Sequence, residues 1–212
     1  MGASDDATPA GALVHAGRVV LGLAGAAAVL MGAEGSGRVE GEDGAHAAEM
    51  ARLQFELGEG PSLDAHRSGE AVAVADLAAT DGELWPALTR VAPPSVRSVY
   101  VAPLRLGGVR LGVLWTHRDR PGYWTVEEYR DAQSVAELLV TAILDSRPVG
   151  SPVGDEEPHG AVVHQATGMV AARLDIGLDE ALARLRATAF AEGRPLYDLC
   201  EDVVARRRGL AP

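Results

Sequence analysis

Residues 146–158 divide the chain into two parts of different character. This stretch, SRPVGSPVGDEEP, holds three prolines, two glycines and three consecutive acidic residues, and it has no periodic apolar pattern. Because proline and glycine interrupt helices and strands, such a stretch is typical of a linker. A chain of 212 residues is long enough for two modest domains. We therefore predict an N-terminal tail at 1–10, a domain at 11–146, a linker at 147–158 and a second domain at 159–210.

The part before the linker mixes helical and strand patterns. A hairpin is its strongest local signal, because the β-rich stretches 97–106 and 109–117 are separated only by Gly107 and Gly108. Two glycines supply the positive φ angles that a tight two-residue turn needs. The remaining periodicity predicts helices at 13–23, 45–57 and 62–66 and strands at 26–31 and 71–77.

A capping box opens the last helix of this part. Thr125 and Glu128 stand three residues apart, so each side chain can bond the backbone N–H of the other residue. Behind them runs an apolar stripe that we expect to pack on the sheet, on a partner helix or on both. The stripe consists of Val126, Tyr129, Ala132, Ala136, Leu139, Val140 and Ile143.

The part after the linker has helical spacing throughout. Three apolar stripes, separated at 175–177 and 192–193, predict three short helices. Pro195 suits the first position of the third helix, and Phe190 is predicted to be core. The stripes are Val162, Ala166, Met169, Val170 and Leu174; Leu178, Ala181, Leu182, Leu185 and Ala189; and Leu196, Leu199 and Val203.

Composition narrows the class of protein. The apolar stretch at 19–32 is shorter than the roughly 20 residues of a membrane span, and the N-terminus is acidic where a secretory signal is basic. The single cysteine, Cys200, cannot form an internal disulfide, which favours a reducing cytoplasm.

The net charge of −11 belongs to residues 1–158, with 12 arginines against 23 acidic residues. Residues 159–212 hold seven arginines and seven acidic residues, and the positive charge is concentrated near the end of this part.

Residues 11–146 resemble the GAF family. The resemblance rests on the order and spacing of GEGP at 58–61, AVAVADL, Trp85-Pro86, SVYVAPLRLGGVRLGVLWTHR and the capped helix. It implies a central antiparallel sheet flanked by helices, a small-molecule pocket between sheet and helix, and dimerisation through terminal helices. Position 62 is Ser where many such domains carry Cys, so no thiol switch exists there.

Residues 159–210 resemble the ANTAR family, and this match is more specific. It is carried by HQATGM at 164–169, DEALARLRATAFAEGRPL at 179–196 and DVVARR at 202–207. The resemblance implies a small three-helix domain that binds paired RNA hairpins and prevents transcription termination. The pairing of GAF with ANTAR is common in actinobacteria, in agreement with a chain whose 19 basic residues are all Arg. The predicted fold class is α+β: a GAF-type antiparallel sheet flanked by helices, followed by a three-helix ANTAR domain.

The RNA-binding hypothesis selects residues by side-chain chemistry. Small side chains at Ala166 and Gly168 would let a helix approach RNA closely, while Gln165 and Thr167 would offer hydrogen bonds to loop bases. Tyr197 is the candidate for base stacking. The arginines predicted to contact phosphates or bases are Arg186, Arg194, Arg206, Arg207 and Arg208. The alternative is that the small residues only permit close helix packing and that the arginines are a solvated face or complement a helix C-terminus.

The candidate ligand residues of the first domain are Trp85, Tyr100, Trp115 and His117, since sheet-face aromatics commonly line pockets. The alternative is that they are plain core. His15, His46 and His66 are isolated and predicted to be surface residues rather than metal or haem ligands, and Cys200 is predicted to be a buried, inert thiol. No phosphate loop, HExxH, GxSxG or Cys pair occurs in the sequence, so we predict no enzyme, no metal and no cofactor.

The leading hypothesis is therefore a cytoplasmic homodimer without a membrane segment, whose GAF domain senses a small ligand or a partner protein and whose ANTAR domain binds the hairpin loops of nascent RNA. A second hypothesis is an interaction protein that acts through partner binding without RNA contact. DNA binding by a helix-turn-helix is a third, although residues 182–190 offer few base-reading side chains.

Overall fold

The computed structural model describes residues 8–32, 37–80, 83–146 and 158–208. The chain forms two compact units, one of Met1–Phe55 and Glu59–Gly154 and one of Glu56–Gly58 and Asp155–Pro212. Among the described residues, the structure contains no helix whose length and hydropathy suit a membrane crossing.

Residues 8–146 build a five-stranded antiparallel sheet with helices on both faces. The strand order is β2-β1-β5-β4-β3, so the long β4–β5 hairpin and β1 form its centre. The elements are α1 (Pro9–Val20), β1 (Gly25–Met31), β2 (Gly37–Gly44), α2 (Ala47–Leu57), α3 (Pro61–Ser68), β3 (Val72–Val74), a 3-10 turn (Leu77–Ala79), α4 (Pro86–Val91), β4 (Ser98–Leu106), β5 (Val109–Arg118) and α5 (Val126–Asp145).

The two faces of the sheet are both covered, which is why all seven residues of β1 are buried. One face packs against α1 and α5 through alternate strand residues such as Ala28, Leu30 and Leu114. Helices α1 and α5 approach each other closely, because a Cβ added at Gly17 would lie 3.0 Å from a methyl carbon of Val135. The predicted buried strand at 26–31 is confirmed.

The predicted hairpin is confirmed, with one difference in its turn. Leu106 pairs with Val109 across Gly107 and Gly108, but only Gly107 has a positive φ, of 57°. The register then shifts by one residue after Leu104, where a β-bulge interrupts the pairing.

The capping box of α5 is also confirmed. The Thr125 hydroxyl accepts a hydrogen bond from the Glu128 N–H at 3.2 Å, and the Glu128 carboxylate accepts one from the Thr125 N–H at 2.7 Å. The stripe from Ala132 to Ile143 is buried, but Val126 is 65% exposed and does not belong to it. The buried cluster begins one turn later, at the partly buried Tyr129.

Strand β2 was not predicted from the sequence. Its sequence, GRVEGEDG, contains glycines and acidic residues that disfavour strands in isolation. It forms because β1 offers it a complete antiparallel partner, from Gly25 opposite Gly44 to Met31 opposite Gly37. As an edge strand it keeps its polar side chains at the surface.

Residues 158–208 fold into three helices, as predicted: α6 (Pro158–Leu174), α7 (Leu178–Glu192) and α8 (Leu196–Val204). Gly193 ends α7 with a left-handed φ of 61°. Two predictions were wrong. Pro195 has an extended ψ of 139° and precedes the first helical residue, and Phe190 lies on the outer face of α7, 44% exposed.

Candidate functional site

The predicted RNA-contact motif on α6 splits between the surface and the interior. Gln165 is exposed and Gly168 half-buried, whereas Ala166 and Thr167 are 0% and 2% exposed. The prediction for Ala166 and Thr167 is therefore corrected: each residue of a helix turns by about 100°, so four consecutive residues cannot share one face. The Thr167 hydroxyl is also engaged, since it donates to the Val163 carbonyl at 2.7 Å.

Gly168 faces open space. A Cβ added there would meet no atom of the described part of the chain within 4 Å, so close packing against another of the described helices does not explain the glycine. Glycine inside a helix costs about 1 kcal/mol relative to alanine. Position 168 thus holds a residue that destabilises the helix, and the space beside it is open.

Several of the predicted arginines are paired within the helical unit. Asp202 accepts a hydrogen bond from Arg194 and one from Arg207, each at 2.8 Å. These two bonds lower the pKa of Asp202, and the bond to Asp202 raises the pKa of Arg194. Arg208 binds the Glu192 carboxylate through both terminal nitrogens, one of them at 2.8 Å.

The remaining predicted residues lie elsewhere on the unit. Arg186 is half-buried on α7. Tyr197 is half-buried on α8, where its hydroxyl donates to the Glu201 carboxylate at 3.1 Å. Phe190, predicted to be core, is instead the exposed aromatic side chain of this unit.

A groove lies between the C-terminal ends of α6 and α8. Its volume is about 520 Å³, within the range of small-ligand sites. It is lined by Met169, Val170, Ala172, Arg173, Leu174, Val203, Arg206 and Arg208. Arg173 was missed by sequence reasoning, although its spacing of four residues from Met169 places the two on the same helix face.

The four candidate ligand residues of the first unit are all buried, but they do not surround one pocket. Tyr100 lies on the sheet face that packs against α5, with its ring 5.3 Å from Trp124 and 5.0 Å from Tyr129. Trp115 and His117 lie on the opposite face. The prediction of a shared pocket is corrected for Tyr100, because the sheet separates it from the other residues.

Trp115 and His117 form a buried stacked pair with ring centroids 4.8 Å apart. The His117 ring lies over Gly25, whose missing side chain makes room for it. Among the described residues, no hydrogen-bond partner meets the Trp115 Nε1, and the His117 ring nitrogens have no well-formed hydrogen bond, although the Gly25 backbone lies beside the ring. Burial, followed by the charge of His46, lowers the pKa of His117 to about 4.

Trp85, the fourth candidate, is buried and has a hydrogen-bond partner. Trp85 donates its indole N–H to the Asp64 carboxylate at 2.9 Å. A cavity of about 20 Å³ is lined by side chains that include Gln54, Ser62 and Leu63. A space of that size holds about one water molecule.

The other titratable candidates fall only partly where predicted, since His46, like His66, is half-buried. Cys200 is buried, and burial raises its pKa to about 12, as expected of an inert thiol. His15 is at the surface, hydrogen-bonded to Asp43 at 2.7 Å. His66 is half-buried, contrary to the prediction, because it lies on α3 close to Arg110. Within 8–32, 37–80, 83–146 and 158–208, no three His, Cys, Asp or Glu side chains are grouped to hold a metal.

Comparison with known proteins agrees with this architecture. A family model of the GAF domain matches residues 10–143, and one of the ANTAR domain matches residues 159–204. No curated protein matches the chain.

Solved structures show the same fold at low identity. The chain is similar to the GAF domain from Acinetobacter phosphoenolpyruvate-protein phosphotransferase, with a TM-score of 0.53 and 13% identity over 66% of this chain and 82% of that one. It is also similar to free methionine-R-sulfoxide reductase from Neisseria meningitidis, with a TM-score of 0.50 and 17% identity over 68% and 82%. At such identities the likeness concerns the fold alone. The predicted α+β fold class is confirmed.

Proposed function

Because the chain belongs to the GAF domain family and its residues 159–204 match the ANTAR domain, we propose that it is an RNA-binding transcription antitermination regulator. GAF domains are sensory and ANTAR domains are RNA-binding antiterminator modules. The chain thus joins a sensor to an effector. Its role is regulation rather than catalysis, since both domains are regulatory.

The observation that carries the RNA proposal is the surface of α6. Gly168 leaves open space beside the exposed Gln165, at a position where none of the residues that the structure describes requires glycine. A helix without a side chain at one point can lie close to a nucleic-acid backbone or a loop base. RNA loops are the part of a hairpin whose bases can be read.

The direct test is binding of the full chain to two-hairpin RNAs with randomised loops. Selection for binding at near-physiological salt should enrich particular loop sequences, and scrambling those loops should weaken binding at least tenfold, or about 1.4 kcal/mol. Equal, weak binding to selected and scrambled RNA would refute the proposal.

Substitution of Gly168 separates folding from binding. Gly168→Leu should leave the helical unit folded, because the added side chain enters open space, and should weaken binding of the selected RNA about tenfold. Gly160→Leu is the matched control, since it makes the same change on the same helix, also in open space. Circular dichroism checks the helix content. Equal RNA binding by both variants would contradict a role for Gly168.

We propose that the sensor acts through dimerisation, because two hairpins require two RNA-binding units. Helices α1 and α5 lie side by side on one face of the sheet, and α5 leads to the linker. A ligand or partner that alters their packing would change the spacing of the RNA-binding units. Light scattering tests this: a monomer both with and without RNA would exclude the mechanism.

A second candidate function is partner-protein binding without RNA contact. The specific observation in its favour is the exposed Phe190, together with the arginines that are already paired to carboxylates. Replacement of Arg206, Arg207 and Arg208 by Gln distinguishes the two. Unchanged regulation of the target transcript by this triple variant would favour partner binding.

A further inference from the structure

The C-terminal end of α8 is a helix cap that contains an unexpected residue. The Arg206 N–H donates to the Val203 carbonyl at 3.0 Å, and the Arg207 N–H donates to the Asp202 carbonyl at 2.9 Å. This pair of bonds defines a Schellman cap, in which the turning residue is usually glycine. Here that residue is Arg206, with a left-handed φ of 56°.

Arginine is strained in that conformation, because its Cβ approaches the backbone in a way that glycine avoids. Strained residues of this kind occur preferentially at functional sites. The backbone of α8 gains nothing from arginine at this position. The arginine side chain therefore points to a use outside the cap.

Two arginine side chains of this region are outside its ion pairs and can therefore bind an external molecule. Arg194, Arg207 and Arg208 bind carboxylates of the same unit. Arg173 and Arg206, by contrast, have no ion pair with any residue that the structure describes. Both line the groove between the ends of α6 and α8.

The floor of this groove is apolar. Met169, Leu174 and Val203 contribute side chains without charge to a lining that also includes the two arginines. An occupant complementary to this arrangement has a flat apolar body and a negative charge at its edge. A nucleotide combines these features, because its base is apolar on both faces and its phosphate is anionic.

We propose that this groove holds one unstacked nucleotide of an RNA hairpin loop, with its base against Met169 and Val203 and its phosphate beside Arg173 and Arg206. The inference rests on the proposed function, because it needs RNA as the ligand. It supplies a base-binding surface that does not depend on an aromatic side chain. Loop nucleotides are available for such binding because they are already unpaired.

Methionine methyl NMR tests the location directly. Met169 is the only methionine after residue 50, so its methyl signal in the full chain reports on the groove. Addition of the selected two-hairpin RNA should shift the Met169 signal through the ring current of the base. The signals of Met31 and Met50, which are buried in the first unit, serve as internal controls.

Arginine variants test the charge. Arg206→Gly should raise the folding equilibrium constant about fivefold, because it relieves the strained cap, yet weaken RNA binding about tenfold. Arg173→Gln should weaken binding to a similar extent. Each should lower the slope of log K against log salt by about 0.7, the contribution of one phosphate contact in single-stranded RNA. Arg184→Gln is the charge-matched control, since Arg184 lies outside the groove and pairs with Glu180 at 2.9 Å.

The outcomes distinguish the two levels of the proposal. If the wild-type chain does not discriminate selected from scrambled loops, both the RNA function and this site are refuted. If RNA binds with loop preference but the Met169 signal stays in place, or if Arg184→Gln weakens binding as much as Arg206→Gly, only the groove is refuted. A Met169 shift produced by a protein partner and not by RNA would assign the groove to that partner instead.

Discussion

Gly112→Ala is expected to destabilise the folded N-terminal domain severely. Gly112 lies in the middle of β5, paired with Leu30 of β1 and Leu104 of β4. A Cβ at this position would lie 1.9 Å from the Val29 carbonyl oxygen and 2.8 Å from the Leu30 Cα. These are backbone atoms held by the pairing of the central strands, so they cannot move aside as a flexible side chain would. We expect a loss of about 4 kcal/mol or more, a large part of a typical domain stability of roughly 5–15 kcal/mol.

Tryptophan fluorescence is the appropriate measurement, because Trp85, Trp115 and Trp124 all lie in this domain. The control is Gly108→Ala in the same hairpin, where a Cβ would meet nothing within 4 Å and φ is not left-handed. Its unfolding free energy should stay within about 0.5 kcal/mol of wild type. A normal urea transition for Gly112→Ala would mean that β1 and β5 are not as close as described.

Acid should destabilise the same domain through His117. Its pKa in the folded state is about 4, below the usual 6.5, so the unfolded chain binds a proton that the folded chain excludes. The unfolding free energy should therefore fall as pH decreases from 6.5 to 4, by about 3 kcal/mol in total. Urea unfolding at pH 7, 6, 5 and 4, followed by tryptophan fluorescence, measures this dependence.

His117→Leu should remove that dependence, because leucine fills similar space without a titrating group. His66, whose pKa is also lowered by burial, contributes in the same direction, so the comparison of variant with wild type is what isolates His117. Asp43 and Asp76 titrate lower: their pKa values are reduced by arginine partners, and their contribution is lost only below about 3.8. If the unfolding free energy of His117→Leu depends on pH as steeply as that of the wild type, burial does not keep the proton off the His117 ring.

Local chemistry made part of this architecture predictable. The Gly-Gly turn and the Thr125 capping box depend on residues close together in sequence, and both are present. The three stripes after the linker likewise gave three helices, because a 3.6-residue period is a local signal. Strand β2 could not be predicted in this way, since its glycines and acidic residues pair only because β1 is beside them.

The misplacement of Tyr100 has a similar cause. Counting back from the hairpin turn, Leu106 pairs with Val109, and a regular ladder would set Tyr100 opposite Trp115. The bulge after Leu104 shifts this register by one residue, so Tyr100 pairs with Thr116 instead. A shift of one residue moves a side chain to the other face of the sheet. No residue pattern in the hairpin predicts the bulge. The sequence therefore could not show which aromatic side chains lie on the same face of the sheet.

The two edges of the sheet limit how this protein can associate. One edge, β3, is three residues long, and the other, β2, carries the charged residues Arg38, Glu40, Glu42 and Asp43 along its length. Short or charged edges resist the addition of a further strand from another molecule. Continuous sheets across subunits, and the fibrils that grow from them, are therefore disfavoured even at high concentration. Association of two copies of this domain through its helices, by contrast, would leave the hydrogen bonds of the sheet intact.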